Sequence, residues 1–290
     1  MSQIVFLSTD NLDDFFVYDE LLIPHFKDIG WSVDTISWHE KHVNWDQYDY
    51  VIVRSTWDYQ QHPDTFLNAL EIINRSSAIL LNPLELMRWN IEKHYLKDLA
   101  AAGIPIVDTY WGESFIVQDI HNAFARFNPK EVVIKPTLSA NADDTFRVSS
   151  SNMAEIMPSL LTTFAARRYM IQPFLSSVVE EGEYSLFYFG GCYSHAILKV
   201  PQKGDFRVQE EHGGQLISTE ASSEQQQIAQ RALEAMPTSA LYARIDLVRQ
   251  NNEWAIMELE LIEPSLYFNL DPSSPARFVK ALVSYSKAET

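Results

Sequence analysis

Ala243-Arg244-Ile245-Asp246-Leu247-Val248 is followed, across Gln250-Asn251-Asn252, by Ala255-Ile256-Met257-Glu258-Leu259-Glu260-Leu261. Side chains two residues apart along a strand point the same way. Arg244 and Asp246 therefore share one face of the first run, and Glu258 and Glu260 one face of the second. The polar link predicts a turn, hence an antiparallel hairpin, which would gather three carboxylates and a guanidinium. Oxygen donors of this kind suit hard divalent cations such as Mg2+, which keep waters and substrate phosphates in their shell. The face thus reads as a metal–nucleotide site. The same alternation also describes an ordinary strand with one wet side, so the rest of the chain must decide.

The chain has 290 residues, 46% of them hydrophobic, enough for two domains or one large one with a real core. Its 22 basic and 39 acidic residues leave a net charge of −17, which repels phosphate backbones and argues against a nucleic-acid partner. A single cysteine, Cys192, excludes an intrachain disulfide and a thiolate metal cluster. The N-terminal Met1 to Asp10 lacks a basic flank and a long apolar core, and reads as a first strand rather than a signal peptide. No apolar stretch reaches the roughly 18 residues that a membrane helix needs. A cytoplasmic location, without a membrane partner, is the expectation.

Strand and helix signals alternate at first. Strands are expected at Ile4–Leu7, Trp31–Trp38, Tyr50–Val53 and Ala78–Leu81, and helices over Phe15–Ile29, ending at Gly30, and Phe66–Asn74. That pattern implies a parallel sheet with crossover helices, whose ligands lie beyond the C-terminal strand ends. Arg54-Ser55-Thr56-Trp57-Asp58-Tyr59 occupies such an end. One helix is expected from Leu84 to Ala102. Beyond it come strands at Val132–Pro136, Tyr169–Leu175, Tyr184–Phe189 and Cys192–Val200, the last two joined at Gly190-Gly191 as a hairpin. Helices are expected around Met153–Ala166 and Glu224–Ala235, and a loop over Gln202–Gln215. Antiparallel pairing dominates this half, so the fold class is α/β giving way to α+β.

Five elements then stand in order: Lys93; Lys135 after Val132-Val133-Ile134; Gln172-Pro173-Phe174-Leu175 before Glu183; Gly204-Asp205-Phe206-Arg207 with Gly213-Gly214 behind it; and Asp246 with Glu258 and Glu260. Over residues 80 to 270 this series resembles the ATP-grasp superfamily, in the arm that holds D-alanine–D-alanine ligases, glutathione synthetases and ribosomal-protein glutamate ligases. Arg54 to Tyr59 and Met257 to Leu266 look most like the O-ureido-D-serine cyclo-ligases and their relatives. The resemblance implies an N-terminal parallel α/β domain (1–83), a central subdomain (84–171) and a C-terminal subdomain (172–290), the last two being antiparallel sheets that enclose the nucleotide.

The resemblance also implies roles. Lys93, Lys135 and Ser139 would meet ATP phosphates, with Lys135 also near the adenine. Gln172, Pro173, Phe174 and Leu175 would form the adenine hinge, and Glu183 would hold the ribose, with Glu180 and Glu181 as competing candidates. Asp246, Glu258 and Glu260 would hold Mg2+ or Mn2+. Arg207, the sharpest local match, would act on the transferring phosphate with Lys199 assisting, and Arg244 would orient either the substrate carboxylate or the transferring phosphate. His212 flanks the same loop. Related ligases commonly have Asn where Glu260 stands, a departure that adds a negative charge.

The loop after Lys135-Pro136, Thr137 to Thr145, holds no glycine, and its Asp143 and Asp144 would repel a triphosphate. On the substrate side, Arg54 would pair with a carboxylate and Asp58 with an ammonium, Thr56 lying between them. Those charges suit an amino acid, and a buried capping network is the competing explanation. The implied chemistry is ATP-dependent joining of a small carboxylate substrate to an amine or other nucleophile through an acyl-phosphate, giving ADP and phosphate. A kinase and a non-catalytic nucleotide-binding module on a worn fold are the alternatives. A homodimer is compatible with the sequence.

Overall fold

The computed structural model describes residues 2–13, 15–139 and 142–288. Strands β1 (Gln3–Ser8), β2 (Ser32–Ser37), β3 (Tyr50–Ser55) and β4 (Ile79–Leu81) form a parallel sheet in the order β2-β1-β3-β4. Helix α1 (Ile23–Asp28) is the first crossover and α2 (Pro63–Asn74) the second. The helix expected from Phe15 is shorter than its apolar spacing suggested. Leu22 and Phe26 are buried, but Phe16 and Leu21 face solvent. Pro24, in the first turn of α1, presets the φ of a helix start. Gly30, at φ +77°, ends it as expected.

The helix expected from Leu84 to Ala102 is two: α3 (Leu84–Asn90) and α4 (Tyr95–Ala101). The break has a physical cause. The Lys93 N–H donates to Thr137 O at 2.8 Å, across to another element, instead of to its own helix. Asn90, just before the break, donates to Leu259 O and accepts from Leu261 N–H. Leu86, Tyr95, Leu96 and Leu99 pack into the same core as Ile245, Ile256 and Leu259.

Next come β5 (Tyr110–Gly112), α5 (Val117–Phe127), β6 (Glu131–Pro136), β7 (Phe146–Ser149), α6 (Met153–Thr163) and β8 (Tyr169–Pro173). Their antiparallel sheet runs β5-β8-β6-β7, with α5 and α6 contributing to the core on one side. In β6 burial alternates: Val132 and Ile134 enter that core, leaving Glu131, Val133 and Lys135 on the other face.

After α7 (Ser177–Glu180) follow β9 (Glu183–Phe189), β10 (Cys192–Val200), β11 (Gln215–Thr219), α8 (Ser223–Glu234), β12 (Tyr242–Gln250), β13 (Glu253–Glu260) and α9 (Ser274–Ala288). The second antiparallel sheet runs β11-β10-β9-β12-β13. Asn251 and Asn252 both have positive φ, 53° and 68°, and make the tight β12–β13 turn. Ile106 bridges to Ile256 at the β13 edge, on the way to the other sheet. No helix among the described residues is long and apolar enough to cross a membrane.

Candidate active site

The register of the large sheet builds the site. Lys199 of β10 lies opposite Glu183 of β9, Ser185 of β9 opposite Asp246 of β12, Asp246 opposite Glu258 of β13, and Arg244 opposite Glu260. Paired residues across strands project to one side, so a polar stripe crosses four strands of an otherwise apolar sheet. Above it stand Val133 and Lys135 from β6, Gln172 and Pro173 from β8, and Lys93 from the α3–α4 break. These residues line one cavity.

Within the stripe, charges interlock. Lys199 Nζ lies 2.6 Å from Glu183 and 3.2 Å from Asp246. Arg244 bonds Asp246 at 2.9 Å and also Glu260. Ser185 donates to Asp246 at 2.5 Å. Lys93 Nζ is 3.0 Å from Glu258 and donates to Ser139 O at 2.9 Å. Burial disfavours the Asp246 carboxylate, but Arg244 and Lys199 outweigh it and hold the group below the usual range. Glu258 is likewise held down by Lys93 and Lys135 against its burial. Glu183 is raised by burial despite Lys199. Glu260, buried beside Glu258 and Asp246, is pushed up to about 7 although Arg244 opposes the shift. Burial lowers Lys135, whose Nζ sits 3.8 Å from Met257 Sδ.

The structure brings Lys93, Lys135, Ser139, Gln172, Pro173, Phe174, Leu175, Glu183, Lys199, Arg207, Arg244, Asp246, Glu258 and Glu260 to this cavity. Glu180 and Glu181 are exposed and do not line it, which favours Glu183 among the three acids. Arg207 is folded onto its neighbour Asp205 at 2.7 Å, with its side chain 40% exposed. In the glycine-free loop, Ser139, Ala142 and Thr145 line the cavity. Asp143 and Asp144 are exposed, and Asp144 pairs with Arg167. Ala142 and Asp144 take the positive φ a glycine would allow, at 58° and 51°. Ala140 and Asn141 lie outside the described residues.

Arg54, Thr56 and Asp58, expected as substrate contacts, do not line the cavity. Arg54, 1% exposed, bonds Asp19 at 2.9 Å and Pro264 O at 3.1 Å. Thr56 is fully buried. Asp58 accepts from Thr9 Oγ1 and Trp38 Nε1, with His39 Nε2 2.6 Å away. Their neighbours Trp57 and Tyr59 do line the cavity, with Phe15, Glu263 and Tyr267. His212 does not line it, and acts electrostatically on Asp143. Sequence reasoning missed Glu263, three residues after Glu260, and Ser185, one same-face step from Glu183.

Three carboxylates on one strand-pair face are the donor chemistry of a hard cation. Among the described residues no three acidic, His or Cys side chains converge on one point. Each acid leans instead on a lysine or arginine, so their donor chemistry suits a hard cation that would exchange with these ion pairs.

Comparison with known proteins agrees with this geometry. Residues 4–82 match the N-terminal domain of D-cycloserine synthetase DcsG, and residues 111–265 the ATP-grasp domain of prokaryotic glutathione synthetase. The cycloserine biosynthesis protein DcsG of Streptomyces lavendulae is 29% identical over 289 residues, covering 92% of this chain and 93% of that one. The crystal structure of D-cycloserine synthetase DcsG superposes with a TM-score of 0.86 at 27% identity, over 98% of this chain and 99% of that one. D-alanine–D-alanine ligase from Bacillus anthracis shares the fold, with a TM-score of 0.69 at 13% identity over 98% and 97% of the two chains. With more than half of its length matching the glutathione synthetase domain, the chain belongs to the ATP-grasp ligases.

Proposed function

We propose that this ATP-dependent ligase joins a carboxylate to an amine through an acyl-phosphate, on a small amino-acid-like substrate, with Mg2+ or Mn2+ as the metal. The observation that carries the reading is the polar stripe, where Lys199, Glu183, Asp246, Arg244, Glu258 and Glu260 meet Lys93 and Lys135 in one cavity. The whole-length likeness to a D-cycloserine synthetase supports a substrate of amino-acid type.

In the reaction, a carboxylate oxygen attacks the γ-phosphorus and the bond to ADP breaks. An amine nitrogen then attacks the acyl carbon, phosphate leaves, and the nitrogen loses a proton. Lys93, Lys135 and Arg207 neutralise phosphate charge, and Arg244 and Lys199 hold Asp246 ionised. Asp246, Glu258 and Glu260 would hold the metal, which when bound supplies further charge neutralisation at the phosphates. Gln172 to Leu175 form the adenine slot, with Phe174 under the Arg147 guanidinium at 3.6 Å. Glu183 is the ribose candidate.

The test is ADP release with Mg2+ across amino acids offered singly and in pairs, with Glu258→Ala as control. Release that requires both carboxylate and amine supports ligation, and release with one compound supports ring closure. A phosphorylated product with no new C–N bond would show a kinase. Absence of any stabilisation by Mg-ATP would sink the reading.

A further inference from the structure

Every acid of the polar stripe has a cationic partner except one that stands just beyond it. Glu258 has Lys93, Glu260 and Asp246 share Arg244, and Glu183 has Lys199. Glu263 lines the same cavity and bonds Tyr59, but no lysine, arginine or histidine forms an ion pair with it among the described residues, Lys93 being paired to Glu258 and reaching Glu263 only through its field. Its backbone is pinned. Its carbonyl accepts from Trp57 Nε1 at 2.9 Å, and the next carbonyl, of Pro264, accepts from Arg54 at 3.1 Å. Phe15, Trp57, Tyr59 and Tyr267 supply aromatic walls to the cavity, Phe15 and Trp57 with ring centroids 5.0 Å apart.

A carboxylate withdrawn from water without a paired counter-charge is unfavourable, and burial with Glu260 nearby pushes Glu263 up to about 8 although Lys93 opposes the shift from a distance. A cation arriving from the cavity would remove that penalty, and aromatic faces favour cations as well. We propose that Glu263 is the recognition residue for a primary ammonium group of the substrate, so that the ligand is an amino acid with its amine free. This rests on the ligase reading and deepens it. It also moves ammonium recognition from Asp58, whose acceptor atoms are taken by Thr9, Trp38 and His39, to the C-terminal half of the chain.

Thermal shift in saturating Mg-ADP separates the outcomes, with a panel of L-amino acids, D-alanine, D-serine and D-cycloserine, each beside its N-acetyl form. At least one free amine is expected to stabilise the wild-type protein, and its N-acetyl form is not. Glu263→Gln keeps the size and the Tyr59 bond, and should bind that amine about 100-fold more weakly, as for loss of a charged hydrogen bond. Its Mg-ADP shift should stay intact, and Glu263→Asp should recover part of the affinity. An unchanged amine shift in Glu263→Gln overturns the proposal. So does a wild-type protein that responds to Mg-ADP but to no amine, which leaves the nucleotide reading standing. A shift from Mg2+ or Mn2+ alone that vanishes in Glu263→Gln would make the residue a metal ligand and overturn the ammonium assignment. Failure of the Mg-ADP shift itself would remove the ligase reading and this one with it.

Discussion

Two charged segments end in the same region of the molecule, and one is closed while the other is open. At the end of β3, Arg54 is sealed between Asp19, Pro264 O and the Tyr242 ring, and Asp58 is saturated by three side chains. On β12 and β13, Asp246, Glu258 and Glu260 are also paired, but along a cavity wall that a ligand can reach. The difference is what stands on the far side of each pair. Around Arg54 it is protein: Tyr242 Oη donates to Val53 O and Ile262 O, and Asn82 donates to Tyr242 O and Leu261 O, binding the parallel sheet to the large antiparallel one. Around Glu258 it is the gap between two sheets. A charge locked by protein on every side, as at Arg54, holds domains together. One open on a side can exchange its partners for a substrate's.

The largest effect should come from the open cluster. Glu258→Ala removes the acid that faces both Lys93 and Lys135, and should lower kcat by about a thousandfold, the scale of losing one well-placed charge-stabilising group. Its melting temperature should stay within a few degrees of wild type. A comparable loss of stability would mean that the hairpin is structural after all. The closed cluster should behave in the opposite way. Arg54→Met strands Asp19 and should destabilise the fold by about 3 kcal/mol, the usual scale for breaking a buried pair, while the Mg-ATP thermal shift persists. Adding Asp19→Leu should restore much of the stability, since an apolar pair often replaces a buried ion pair without loss. If Arg54→Met abolished nucleotide binding instead, the two clusters would not be separable.

The open cluster was more legible in sequence than the closed one. Alternation in Arg244–Asp246 and Glu258–Glu260 fixes the shared face, because period two is a local property of strands, and the observed register keeps it. The parallel first half was legible from short apolar runs alternating with helical spacing. Neither signal says what covers a face. Arg54 and Asp58 carry the residue types of an amino-acid site, and their fate is decided by Asp19, Pro264 and Thr9, from 35, 210 and 49 residues away. The helix break at Lys93 is equally non-local, since its cause is Thr137 O in another layer. Glu263 was overlooked because an odd offset from Glu260 breaks the strand period, and only the turn after β13 brings it back to the cavity.

Asp58 gives a smaller, pH-dependent test of the closed state. Burial raises its carboxyl, but hydrogen bonds from Thr9, His39 and Trp38 prevail and hold it below the usual range. A depressed folded-state value stabilises the fold above the ordinary carboxyl range, and that contribution fades as pH falls through the folded value. Asp58→Asn should therefore cost about 1–2 kcal/mol at pH 7, as for a few part-buried hydrogen bonds. The gap from wild type should begin to narrow in acid below pH about 4, near the unfolded value, and close only as pH falls past the lower folded value. Denaturant unfolding at pH 7 and pH 3 measures both. A gap that is constant with pH would show that the charge contributes nothing.

Glu260→Asn should have the smallest effect. The substitution keeps a side-chain oxygen but is one methylene shorter than glutamate, and it removes one negative charge from a wall that already holds Glu258, Asp246 and Glu263. Two consequences oppose each other. Arg244 loses one partner while keeping Asp246, and the remaining acids lose a repulsive neighbour. Net stability without ligand should therefore change by less than about 1 kcal/mol, within the range of most single substitutions. Metal affinity has no such offset, because fewer anionic oxygens bind a hard cation less tightly. The Mg2+ concentration for half-maximal ADP release should rise about twofold, on the scale of a few tenths of a kcal/mol at an already paired site, with little change in kcat at saturating metal. Titration of activity with Mg2+ and with Mn2+ reads this directly. Unchanged half-saturation for both metals would place Glu260 with Arg54 and Asp58, as a charge whose partner is protein.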